Sequence, residues 1–188
     1  MRENLRFEGK VMSATIFCEA GVWFVSIQVE LPDVSHLSNA KNQGTVGVDL
    51  GVANYATLST GEVFPGAKPL KRLLDKLRFY SRRLNKKQKG SKNWKKARKQ
   101  LAKQHWNIAN VRRDYIHKFT TNLTRSFHTI GIELLNVRGM MKNRRLSRAI
   151  ADMGFYETRK QLEYKNRLRG AQLELPRSEE RRVGKECR

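Results

Sequence analysis

Two short apolar runs in this sequence are interrupted in the same way, by a glycine and, two residues later, an acid. These are Gly47 and Asp49 in TVGVDLGV, and Gly131 and Glu133 in TIGIELL. Runs of Val, Ile and Leu this short favour strands, whose side chains alternate between two faces. Val46, Val48 and Leu50 then point one way, and Gly47, Asp49 and Gly51 the other. In the second run Ile130, Ile132 and Leu134 oppose Gly131, Glu133 and Leu135. Each carboxylate therefore stands on a strand face cleared of neighbouring side chains, where a metal ion or a phosphate backbone can come close. Strands so continuously apolar are expected to be buried on both faces of their sheet.

A carboxylate placed there is costly unless it is paired or bound to a cation. The residues alone leave two readings open. Asp49 and Glu133 each meet a Lys or Arg, or they share a metal site on adjacent strands. For the second, Mg²⁺ is the natural guest of oxygen ligands that meet phosphates. Asp152, in SRAIADMGFYE, is a possible further acid, though a helix-surface or capping role fits it better. His36, His105, His117 and His128 show no metal-ligand spacing, and no Walker-type phosphate loop is present.

The other elements follow from periodicity. Val11–Cys18 and Val22–Leu31 flank the turn Glu19-Ala20-Gly21, and Trp23, Val25, Ile27, Val29 and Leu31 alternate with more polar residues. That pattern predicts a hairpin with one buried face. Pro32–Gln43 is polar and turn-rich, a linker. Thr45–Val52 and Tyr55–Leu58 form a second hairpin around Ala53-Asn54. After Pro65–Pro69, Leu70, Leu73, Leu74, Leu77 and Leu84 recur at helical spacing, and Gly90 breaks the helix. A longer helix carries Trp94, Ala97, Leu101, Ile108, Val111, Tyr115, Phe119 and Leu123 on one stripe. A third strand at Thr129–Leu135, a helix over about Arg144–Arg169 and a possible strand at Leu173–Leu175 complete an α/β order.

Charge supplies the second constraint. The formal net charge is +22, and a surface this positive attracts polyanions. Between Lys68 and Lys118 stand nineteen Lys or Arg against two acids, Asp75 and Asp114, whereas an ordinary solvated face mixes signs. The expected nucleic-acid contacts are Arg82, Arg83, Lys86, Lys87, Lys89, Lys92, Lys95, Lys96, Arg98, Lys99, Arg112 and Arg113. No apolar run is long enough for a membrane span and no signal peptide begins the chain, so a cytoplasmic protein, nucleoid-associated when bound to DNA, is expected. Cys18 and Cys187 suggest neither a disulfide framework nor a zinc site.

Together these residues resemble the TnpB family, transposase-like proteins encoded by insertion sequences and related to type V CRISPR effectors. GVDLGVANYATLSTGE is similar to that family's first RuvC motif, with Asp49 at the catalytic position. IGIELLNVRGMMKNRRLSRAI is similar to the second, with Glu133 at the catalytic glutamate. RRLNKKQKGSKNWKKARKQLAKQHWNIANVRRDYIHKFTTNL resembles the basic helical segment between them, and Val11–Leu31 the end of the preceding wedge domain. The resemblance implies an RNase H-like (RuvC) mixed sheet with a basic helical hairpin insert, preceded by a short β-hairpin from a wedge-type β-domain. It also implies an RNA-guided DNA endonuclease that carries a guide RNA from the element's own end. Asp49 and Glu133 would be its catalytic and Mg²⁺-binding acids.

The resemblance also sets the expected domains: 1–35 the end of a wedge-like β-domain, 44–176 an incomplete nuclease core with the basic hairpin at 68–128. The family usually has Asp after the catalytic Glu, where this chain has Leu134. It continues into a CxxC…CxxC zinc ribbon and a third RuvC motif with another Asp, so zinc is expected only in that ribbon. RSEERRVGKECR, residues 177–188, resembles the translation of a sequencing adapter and is read as non-native, with cleavage expected to be lost in this fragment. The alternatives are a non-catalytic protein that binds nucleic acid through the hairpin, and a guide-free transposase or resolvase.

Overall fold

A computed structural model describes residues 9–30 and 44–175. The expected linker and the adapter-like tail lie outside the described residues. The chain divides into two units, Met1–His36 with Leu74–Ile108 and Leu37–Leu73 with Ala109–Arg188.

The first unit contains two antiparallel strands, β1 (Lys10–Glu19) and β2 (Val22–Glu30). Ala20 and Gly21 join them with φ of 51° and 80°, as a two-residue turn matched to the strands' right-handed twist requires. The expected buried face is not found: no residue of either strand is buried, and Trp23 is 74% exposed. A two-stranded ribbon has no second layer of its own to bury a face against. Phe24, from the face opposite Trp23, is half-buried, stacked on Phe17 at 5.4 Å and set 6.1 Å from Trp106.

The second unit is built on β3 (Thr45–Leu50), β4 (Ala56–Leu58) and β5 (Val63–Phe64). Helices α1 (Pro69–Asn85) and α2 (Lys92–Ser126) follow and run through both units. Then come β6 (Thr129–Ile132), α3 (Val137–Met140), α4 (Ser147–Met153), α5 (Phe155–Arg169) and β7 (Gln172–Glu174). The strands form one mixed sheet in the order β5-β4-β3-β6-β7, antiparallel from β5 to β3 and parallel from β3 to β7. The expected order of strands, helical hairpin, strand, helix and strand is therefore present. Gly90, at φ 87°, lies in the break between α1 and α2, where a residue without Cβ takes the left-handed turn at no cost.

Burial in β3 corrects the expectation of a strand covered on both faces. Val46, Val48 and Leu50 are buried, while Thr45, Gly47 and Asp49 are exposed. The buried row packs with Ala56, Leu58, Ile130 and Ile132 against Ile116, Phe119, Leu123 and Phe127 of the α2 segment, and against Met153, Phe155 and Leu162. Tyr55 stands among these rings, edge-on to Tyr115 and Phe119 at 5.1 and 5.2 Å, with its hydroxyl bonded to Thr158. Helices thus cover one face of the sheet.

Three elements differ from the sequence expectation. The third strand ends at Ile132 and not at Leu135, so Glu133 follows it directly in an irregular stretch that leads into the short helix α3. The expected helix over 144–169 is split at Gly154, whose φ is 70°. A Cβ there would lie 2.9 Å from Ile116 Cδ1 and 3.1 Å from Arg112 Cδ, so the left-handed conformation favours glycine and a larger residue would also have to displace these side chains. Val63–Phe64 adds an edge strand that a two-residue apolar pair could not announce.

Asp152 proves to be a buried junction, 4% exposed. Its carboxylate accepts hydrogen bonds from the Leu70 and Lys71 backbone N–H groups at 3.0–3.2 Å, in the first turn of α1. Arg112 donates to the same carboxylate at 2.9 Å and to the Asp152 carbonyl at 2.9 Å. One acid thereby satisfies helix-terminal donors that lack intrahelical partners and neutralises a guanidinium. Truncating it strands both, so Asp152→Ala should lower unfolding stability by about 3 kcal/mol, measured by urea denaturation. A loss below about 0.5 kcal/mol would show that the junction contributes little.

Lys165 is buried on α5 and donates to the Thr120 and Thr121 hydroxyls at 2.7 and 2.8 Å and to the His117 carbonyl at 3.0 Å. All three acceptors are uncharged. Burial, with Arg169 and Arg125 nearby, lowers its pKa to about 8. Between that value and the ordinary lysine value of about 10.4, the unfolded chain binds more protons than the folded one, so stability rises with pH. The contribution is complete above the unfolded value and is lost as pH falls through the folded one. Lys165→Met should therefore be most stabilising relative to the parent near neutral pH, with the difference shrinking toward pH 10. Denaturation of both proteins across that range checks it; a constant difference would refute the shift.

Candidate metal centre and nucleic-acid interface

The geometry of the two acids follows from strand register. β3 and β6 pair in parallel with Val46 opposite Ile130, Gly47 opposite Gly131 and Val48 opposite Ile132. One step further along the chains stand Asp49, still within β3, and Glu133, directly after β6. Neighbouring strands lie about 4.8 Å apart, so the two acids leave adjacent strands side by side. On its other flank Asp49 pairs with Thr57 of β4. Asp49 is exposed and Glu133 half-buried.

The glycines beside these acids are not demanded by packing. A Cβ on Gly47 would meet Ser59 Cβ at 3.6 Å, and one on Gly131 would meet only the Val46 carbonyl oxygen at 3.8 Å. Both are ordinary contacts. The Gly47 backbone is instead fixed by hydrogen bonds, its N–H to Ser59 Oγ at 3.0 Å and its carbonyl from the Ser59 N–H at 2.9 Å. The glycines leave an open strip of backbone beside the carboxylates.

Two features beside these acids were not singled out from the sequence. Glu174 of β7 pairs with Gly131 and is exposed, one strand beyond Glu133; a lone Glu near the end of a weak apolar pattern gives no signal of this. A cavity of about 310 Å³ adjoins Glu133, lined among others by the core residues Leu50, Ile132 and Phe155 and by Asn136, Tyr156 and Arg159. Asn136 shapes its rim by accepting from the Gly139 N–H at 3.0 Å, capping α3. Among the described residues no three His, Cys, Asp or Glu side chains group closely enough to hold a metal by themselves. Two carboxylates at adjacent positions nevertheless present the oxygen donors that Mg²⁺ takes alongside waters and substrate phosphates.

The expected nucleic-acid contacts divide by environment. Arg82, Arg83, Lys86, Lys87, Lys89, Lys92, Lys95, Lys96, Arg98 and Lys99 are all exposed on the first unit's stretch of α1, α2 and the loop between them. Arg98 lies over the Trp94 ring at 5.5 Å, a cation–π contact that leaves its guanidinium at the surface. Arg113, in the second unit, is also exposed, whereas Arg112 is committed to Asp152. On this hairpin the acids Asp75 and Asp114 pair with Arg78 and Lys118 at 3.3 and 2.7 Å. No helix of the described residues is long and apolar enough to cross a membrane.

Comparison with known proteins places these features in a family. Residues 26–144 match the OrfB_IS605 family, described as "Probable transposase". The chain is 36% identical over 189 aligned positions to "Putative RNA-guided DNA endonuclease InsQ" of Escherichia coli K12, covering 92% of this chain and 46% of that protein. It is 41% identical to "Putative RNA-guided DNA endonuclease" of Streptomyces pristinaespiralis, across 82% of this chain and 38% of that one. A Mycobacterium tuberculosis protein named "Putative RNA-guided DNA endonuclease Rv2885c" is 31% identical across 68% of this chain and 30% of its own length. The chain thus spans less than half the length of the curated relatives it matches. It belongs to the OrfB_IS605 transposase family of insertion sequences, the family of TnpB proteins.

Proposed function

We propose that this chain is part of a metal-dependent, RNA-guided DNA endonuclease of an insertion sequence, with Asp49 and Glu133 as its catalytic and Mg²⁺-binding acids. The observation that carries the reading is the glycine-to-glycine register of β3 and β6, which puts Asp49 on the open sheet face and Glu133 one step beyond the paired residues of the adjacent strand. The sheet, antiparallel on one side of β3 and parallel on the other with helices against one face, fits an RNase H-like (RuvC) core over residues 44–176. Residues 1–35 fit the end of a wedge-type β-domain. The relatives' names support the guide RNA and the DNA target as partners.

Bound Mg²⁺ would supply activated water and charge neutralisation at the leaving oxygen. The chain's own residues hold the oxygen donors in place and keep the adjoining backbone clear. The pair alone does not complete such a centre, so cleavage requires a further acid beyond Asp49 and Glu133. The cationic hairpin grips the phosphate backbone, while base pairing with the guide reads sequence.

Millimolar Mg²⁺ should raise the melting temperature of this chain, and Asp49→Asn or Glu133→Gln should abolish that rise. In the full-length protein with its guide RNA, Asp49→Ala should reduce DNA cleavage to the metal-free level; undiminished cleavage would end the assignment. Replacing Lys86, Lys87, Lys89, Lys92, Lys95 and Lys96 by Ala should flatten the salt dependence of DNA binding by up to about 0.9 in log–log slope per lysine. That same result with no effect of Asp49→Ala would favour a protein that only binds.

The glycines make a separate test. Gly47→Ala should leave folding stability unchanged or raise it by about 0.5–1 kcal/mol, yet weaken the Mg²⁺ response and cleavage. A loss of stability larger than that would assign Gly47 to the fold instead.

A further inference from the structure

The first unit contains a second cavity, of about 330 Å³, lined by Lys76 and Tyr80 of α1 and by Gln100, Lys103, Gln104, Trp106 and Asn107 of α2. Its volume lies at the lower end of the ~300–1,000 Å³ found for small-ligand sites, room for one planar group and not for a helix. Its wall combines two aromatic rings, two ammonium groups and three carboxamides. Phe24 of the β-hairpin lies 6.1 Å from the Trp106 ring. Gln104 is 5% exposed, and its side-chain Nε2 has no hydrogen-bond partner. A buried donor left unsatisfied is costly and uncommon. The last torsion of a Gln side chain is broad, so a modest rotation turns its amide toward a guest.

We propose that this cleft takes a single unpaired nucleobase of a single-stranded nucleic acid. The chemistry of the wall selects that guest. Aromatic faces stack on any base, carboxamides offer paired donor and acceptor to a base edge, and lysines at the rim meet the flanking phosphates. An apolar guest would leave the Gln104 amide unsatisfied, and a bare phosphate would make no use of two rings. The proposal rests on the nucleic-acid-binding reading of the hairpin and adds to it a site that recognises bases, beside lysines and arginines that recognise only backbone.

The test is binding of the full chain to short fluorescent strands of single-stranded RNA and of single-stranded DNA, to the same strands carrying abasic positions, and to a duplex. Base-bearing single strands should bind about tenfold more tightly than abasic ones, in line with the loss of one stacked base. Gln104→Leu and Tyr80→Leu should each remove most of that preference while leaving the salt slope unchanged. Gln104→Leu should also keep or raise the melting temperature, because it removes an unsatisfied donor; a merely structural glutamine would lower it. A preference for RNA or for DNA identifies the strand that supplies the base. Equal binding of base-bearing and abasic strands with a steep salt slope overturns the cleft proposal and leaves the electrostatic interface standing. Absence of binding to every strand overturns both.

Discussion

The parallel pairing of β3 with β6 is the contact on which the rest of this structure depends. It joins two segments separated in sequence by the whole of α1 and α2, so its closure entropy must be met by burial. Val46, Val48, Ile130 and Ile132 provide that burial, each at most 5% exposed. Because side chains alternate strictly, a slip of one residue would send these four to the open face and drive Asp49 into the aromatic and aliphatic cluster beneath. The core therefore sets the register, and the register sets the carboxylates. The Asp49 carboxylate on the open face is positioned by packing on the hidden one.

The helical insert needs a second device. Its helices leave the sheet unit and return to it, and their junctions carry polar groups that the apolar core cannot satisfy. Asp152 ties the first turn of α1 to Arg112 of α2, and the Tyr115 hydroxyl reaches the Pro65 carbonyl at 2.5 Å. Gly154 lets α4 turn into α5 so that Asp152 and Phe155 both face inward. Lys165 occupies a similar position against the Thr120 and Thr121 hydroxyls, at the cost of holding an ammonium group where it is readily neutralised.

Much of this was legible in the sequence where periodicity is strong. The helical hairpin, its break at Gly90 and the two acid-bearing strands were readable because leucine spacing and strict alternation extend over many residues. The glycines two residues before Asp49 and Glu133 marked the open face, and neither fills a tight space. What escaped depended on partners distant in sequence. Asp152 looked like a surface or capping acid because nothing in SRAIADMGFYE discloses that it caps another helix. Gly154 lay inside the single helix expected over about Arg144–Arg169, since the side chain that crowds a Cβ there, Ile116, lies in α2. The β-hairpin misled in the opposite sense: its alternation was genuine, but alternation only offers a face, and burial requires a second layer.

The charge distribution can be judged by the same standard. Two ion pairs on the hairpin, Arg78 with Asp75 and Lys118 with Asp114, join exposed side chains, and such pairs contribute little to stability. The ten exposed cations from Arg82 to Lys99 stand on a short helical stretch and its loop, where their mutual repulsion opposes folding. Beyond the Arg98–Trp94 contact, Arg82 donates to the Arg78 carbonyl at 3.4 Å and the Lys99 stem lies beside Gly21, contacts that leave all ten side chains exposed. Under the proposed function, this row of like charges is a site for a polyanion, whose spaced phosphates would replace many small counterions at once and turn the repulsion into affinity.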